Sequence, residues 1–82
     1  MERSEVYNQL NEIFQDVFDN EEITVDDSTT AEDVEGWDSN MHITLIAEVE
    51  DSFDIHFEMR DVAKMHNVGE MVDKIIELIQ QN

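Results

Sequence analysis

Gly36-Trp37-Asp38-Ser39-Asn40-Met41-His42-Ile43-Thr44-Leu45-Ile46 decides the reading of this chain. Its first residues belong to an acidic, aperiodic stretch. From Ser39 onward apolar residues recur at helical spacing, so an acidic loop turns into an amphipathic helix here. Asp38 or Ser39 begins that helix, because the short side-chain oxygen of either can accept from the free N–H groups of a first turn. The helix runs to about Ser52. Leu45, Ile46, Val49 and Phe53 form its buried stripe, and His42 projects on the same side. Asn40, Thr44, Ala47 and Asp51 fall opposite, with Glu48 and Glu50 on the flanks.

Outward from this junction the chain reads as helices. Val6, Leu10, Ile13, Phe14 and Val17 share one face of a segment from about Arg3 to Asp19. Residues 20–38 have no helical period. Ile23, Val25, Val34 and Trp37 are spread through them and are expected to dock on the core. A loop of this length in a small domain is usually functional. Asp54-Ile55-His56-Phe57 reads as a link that tucks in Ile55 and Phe57, and a short helix is expected over Glu58–Lys64. The last helix begins after Asn67, its cap, with Glu70 at the reciprocal capping-box position. Val68, Met71, Val72, Ile75, Ile76 and Ile79 form its buried face. No segment alternates as a strand would. The expected fold is all-α: one domain over residues 1–82, four helices, a long first connection and a short third helix.

Composition narrows the function. The chain has 82 residues, 22 of them acidic and 4 basic, for a net charge of −18. Direct nucleic-acid binding is not expected, since that needs a basic footprint, and anionic membranes are disfavoured for the same reason. Proteins with Lys/Arg patches are the expected partners. Cysteine is absent, so the polypeptide supplies no thiol and no disulfide. That fits a cytoplasmic location. No apolar run approaches the length of a membrane span, and the N-terminus lacks a signal-peptide pattern. A monomer is expected.

Ser39 is the residue to explain. A catalytic serine needs a base, an orienting group and an oxyanion hole. The histidines are His42, His56 and His66, and His42 is expected to pack against the loop rather than activate Ser39. No Gly-x-Ser-x-Gly elbow is present, so no catalytic residue is assigned. Two roles remain open: a plain helix cap, or a modification site, where free N–H groups and the helix dipole favour an anion on the hydroxyl. Specific metal binding is not expected. Across Asp26 to Trp37 an EF-hand would need glycine where Ala31 stands and glutamate where Trp37 stands. The histidines have no zinc spacing.

Gly36-Trp37-Asp38-Ser39 through His42, Leu45-Ile46, Phe53-Asp54-Ile55, Phe57 and Val68-Gly69-Glu70-Met71-Val72 resemble the acyl carrier protein family over nearly the whole chain. The resemblance implies a 4'-phosphopantetheine arm on Ser39, transferred from coenzyme A by a phosphopantetheinyl transferase, with Asp38 assisting recognition for modification. It implies a carrier of acyl thioesters for fatty-acid, polyketide or related biosynthesis, not an enzyme. The second helix would be the docking face for acyl-transferring or acyl-modifying enzymes with basic patches. By position that face comprises Asn40, Met41, Thr44, Ala47, Glu48 and Asp51. Asn40 departs from the leucine that usually follows the serine, which points to an unusual partner set, and the Trp37-Asp38-Ser39 and His42 context resembles that of a specialised stand-alone carrier. The alternative is an acidic protein-interaction module that is never modified.

Overall fold

Val6, Leu10 and Phe14 recur every fourth residue and remove one helical face from water. The same logic operates in two later segments. In the computed structural model, which describes residues 2–81, four helices follow in order: α1 (Arg3–Val17), α2 (Ser39–Phe53), α3 (Met59–Ala63) and α4 (Val68–Gln81). No strand occurs among the described residues. α1 packs against both α2 and α4. One core collects Val6, Leu10, Phe14, Leu45, Ile46, Val49, Val68, Met71, Val72 and Ile75, and the connections add Val25, Ile55 and Phe57.

Local chemistry sets the helix ends. α1 stops at Val17, two residues before the sequence pattern ends. Asp19 takes a left-handed backbone, φ 51°, and the Asn20 N–H closes back on the Gln15 carbonyl at 3.0 Å. α2 ends the same way: Asp54, φ 55°, lets the Ile55 N–H reach the Glu50 carbonyl at 3.1 Å. Phe53 is therefore the last residue of α2, half-buried and packed against the core rather than inside it. Asn67 caps α4 by accepting from the Glu70 N–H at 2.8 Å. The reciprocal bond from the Asn67 N–H to the Glu70 side chain is not made, and Glu70 points to solvent.

The segment between α1 and α2 is irregular but not loose. Val25 and Val34 are buried, as is Thr29. The Val25 N–H donates to Asn11 Oδ1 at 2.7 Å, and Gln15 Nε2 donates to the Ile23 carbonyl at 2.9 Å. The start of α4 meets the same loop: the Val68 and Gly69 N–H groups donate to the carbonyls of Thr29 and Asp27 at 2.8 and 3.1 Å. At Gly69 the two backbones approach so closely that a Cβ would lie 2.7 Å from the Asp27 carbonyl oxygen. Arg3 then clamps the assembly, donating to Asp27 and Asp73 at 2.6 Å each, while the Tyr7 hydroxyl donates to Asp27. The Tyr7 and Arg3 bonds hold the Asp27 carboxyl below the usual carboxylate range. Burial and the Asp27 bond push the Tyr7 phenol up.

Candidate functional site

The far end of this loop delivers the chain to α2. The Trp37 N–H reaches the Val34 carbonyl at 3.2 Å, and Gly36 turns the backbone with φ +89°, a conformation that disfavours a side chain. Asp38 emerges extended, φ −113° and ψ −172°. Its carboxylate accepts from the Met41 N–H at 2.9 Å and its carbonyl from the His42 N–H at 2.8 Å. Asp38 is thus the N-cap and Ser39 the first helical residue. Of the two roles open for Ser39, capping is performed here by the preceding residue. Ser39 is exposed, and its hydroxyl makes no hydrogen bond among the described residues. The N–H groups of Ser39 and Asn40 also have no acceptor among the described residues.

Beside Ser39 opens a cleft of about 540 Å³ between the start of α2, α3 and the approach to α4. Trp37, His42, Ile43, Val62, Met65 and Met71 give it apolar walls, and Asp38, Ser39, His66 and Asn67 its polar rim. His42 packs against the loop as the sequence indicates. Its ring stacks on the Trp37 indole, centroids 5.8 Å apart and planes at 23°. Trp37 Nε1 donates to His42 Nδ1 at 3.0 Å. Trp37 is itself wedged edge-on against Phe14, centroids 5.2 Å apart, and leans on Phe18. Partial burial lowers the His42 pKa. With its Nδ1 lone pair taken by an indole, His42 is not arranged as a base for Ser39.

The α2 face expected to dock partners is mostly open. Asn40, Thr44, Ala47, Glu48 and Asp51 are exposed, whereas Met41 is half-buried. Glu50, on the flank, turns inward and accepts from the Phe57 N–H at 2.7 Å. Two features escaped the sequence reading. Ile43 is 69% exposed and Met59 is 91% exposed. Both border a groove of about 330 Å³ between α2 and α3, floored by Ile46, Phe57 and Val62. The signal for Ile43 lay in the helical register, which places it outside the Leu45, Ile46 and Val49 stripe. The basic side chains stand elsewhere: Arg3 pairs with Asp27 and Asp73, Arg60 with Glu58, and Lys74 with Asp61 and Glu77, while Lys64 is exposed at the end of α3. Glu48 and Asp51 of α2 face solvent with no cation from the helix itself. No cluster of three or more metal-ligating side chains occurs among the described residues, and no helix there is long and apolar enough to cross a membrane.

The sequence matches, over residues 8–75, a family model described as a phosphopantetheine attachment site. The fold superposes on the solution structure of a holo acyl carrier protein from Geobacter metallireducens with a TM-score of 0.88. The two chains are 32% identical over 93% of this chain and 87% of that one. No curated protein matches the chain.

Proposed function

The chain belongs to the acyl carrier protein family, whose members are carriers rather than enzymes and hold a covalent 4'-phosphopantetheine, and we propose that Ser39 is the attachment residue here. One observation carries this reading. Ser39 is an exposed first-turn hydroxyl, relieved of capping by Asp38, with two uncommitted N–H groups beside it. Such donors at the positive end of a helix fit a phosphodiester, whose charge the acidic chain would otherwise repel. The group supplies a terminal thiol that carries acyl groups as thioesters, a function the cysteine-free polypeptide lacks.

The chain's own residues then hold and present. Asp38 keeps the first turn of α2 closed whether or not Ser39 is substituted, and it is the residue proposed to be read by the phosphopantetheinyl transferase. The apolar cleft beside Ser39 shelters whatever the arm lays into it from water. Asn40, Met41, Thr44, Ala47, Glu48 and Asp51 form the proposed docking face for acyl-handling enzymes with basic patches. Ile43 and Met59 extend that face with apolar contact. Exposed charge pairs are screened at physiological ionic strength, so such docking is weak and salt-sensitive. Fatty-acid, polyketide or related biosynthesis is the proposed setting, with the chain acting as a monomeric, cytoplasmic, single domain over residues 1–82. Neither nucleic acid nor a membrane interior is a proposed partner.

The test is intact mass after incubation with coenzyme A and a promiscuous phosphopantetheinyl transferase. One phosphopantetheinyl group is expected on the wild type and none on Ser39→Ala. A Ser39→Ala protein that still gains the group overturns the assignment. A wild type that gains none favours the unmodified interaction module, with Asn40 as the residue that distinguishes it.

A further inference from the structure

The attachment proposed at Ser39 places an arm beside an imidazole whose hydrogen the fold has already assigned. We propose that His42 is a positioning residue for that arm, its neutral ring donating a hydrogen bond from Nε2 to a phosphate or amide oxygen of the phosphopantetheine. The inference rests on the Ser39 reading and deepens it.

The indole N–H of Trp37 can only donate. Its 3.0 Å contact with His42 Nδ1 therefore requires a lone pair on that nitrogen, which leaves the neutral ring's hydrogen on Nε2. Nε2 has no partner among the described residues, and a donor in a half-buried setting gains by finding one. The ring is not free to turn away. It is stacked on Trp37, and Trp37 is packed against both Phe14 and Phe18. His42 also stands three residues after Ser39 on the same helix, so the two side chains are neighbours along one face, and both line the cleft.

The charged and titratable groups around His42 leave that role to it. Asp38 is occupied by the Met41 N–H. His66, on the opposite rim, is exposed and makes no hydrogen bond that fixes its ring. No lysine or arginine lines the cleft. An anionic group at Ser39 therefore meets the two free backbone N–H groups and one side-chain donor held in place by packing. Partial burial lowers the ring's pKa, which favours the neutral form.

The experiment compares 15N-labelled apo and holo protein at pH 7, with loading verified by intact mass. Long-range 1H–15N spectra of the histidine rings report tautomers, and 31P spectra report the phosphodiester. His42 is expected as the Nε2–H tautomer in both forms, with its Nε2 resonance shifting on loading while that of His56 stays put. Trp37→Phe removes the donor to Nδ1, and it is expected to bring the second tautomer into the His42 spectrum and shrink the loading shift. His42→Leu is expected to move the 31P resonance, and His42→Gln, which retains an amide donor, to restore it toward wild type. An Nδ1–H tautomer in the wild type overturns the inference, and that measurement needs no variant to fold. Full loading with His42 and 31P resonances indifferent to each other overturns this inference alone. A wild type that gains no mass overturns the Ser39 reading as well.

Discussion

The two ends of the stretch from Asp27 to Ser39 behave in opposite ways. At its start, Asp27 is fully committed: Arg3, Tyr7 and the Gly69 N–H bind it by side chain and backbone, and Asp73 shares the same arginine. At its end, around Ser39, groups are left over: a hydroxyl, two N–H groups, an imidazole Nε2 and an open cleft. The first end fastens the loop to α1 and α4, and the second keeps its polar groups unspent. A site that spends its polar groups on its own fold has none left for a ligand. Here the fastening is done elsewhere, and by Asp38 rather than Ser39.

That contrast can be broken or sharpened by measurement. The largest effect is expected beneath both ends, at Leu45, which is wholly buried. Leu45→Ala should lose roughly 2–5 kcal/mol in chemical denaturation, much of what a domain of this size has. A loss below about 1 kcal/mol would mean that the α2 stripe is not the keel of the bundle. Next comes the committed end. Gly69→Ala drives a Cβ to 2.7 Å from the Asp27 carbonyl oxygen, backbone against backbone, with no flexible side chain to give way. About 1–3 kcal/mol of destabilisation is expected, and unchanged stability would show that the loop does not depend on this approach.

Acid separates the two ends in a smaller, graded way. The folded-state pKa of His42 is lowered, so its contribution is present above the ordinary histidine value of about 6.5 and is lost as pH falls through the lower folded value. Protonation places hydrogens on both ring nitrogens and ends the bond from Trp37. The folded-state pKa of Asp27 is also lowered, so its contribution persists until pH falls below the ordinary carboxylate value of about 3.9 and is lost through its own folded value. Trp37 is the single tryptophan, so its fluorescence should change in the histidine window while the amide resonances of Asp27 and Gly69 stay native. A single transition shared by both ends would refute their independence. The smallest effect on stability belongs to Ser39→Ala. No cap is lost, so a change within about 0.5 kcal/mol is expected, alongside complete loss of phosphopantetheine loading. A cost near 1 kcal/mol would mean that Ser39 caps in solution after all.

Much of the site was legible as residue type and register. Asp38 before Ser39 at a loop-to-helix junction could be read directly, because both caps and modification sites use short polar side chains in a first turn. Which of the two capped could not be read. That depends on the extended backbone of Asp38, set by the Gly36 turn and the docking of Trp37 on Phe14. His42 was placed against the loop by helical phase, but its partner lies across a bend, where phase carries no information. Phe53 fits the apolar spacing and is still half-buried, because spacing gives a direction from the helix axis and not what stands there.

The sequence by itself determined the helices, their buried faces, the strongly acidic surface and the position of Ser39. These follow from local period and composition, which act within a few residues. The tertiary structure alone decided the Arg3–Asp27–Asp73 clamp, whose members lie 24 and 70 residues apart, and the close approach at Gly69. It also decided the Trp37–His42 pair, the cleft beside Ser39 and the exposure of Met59. Each is a contact, or an absence of contact, between segments whose relative placement is set by the shared core rather than by neighbouring residues.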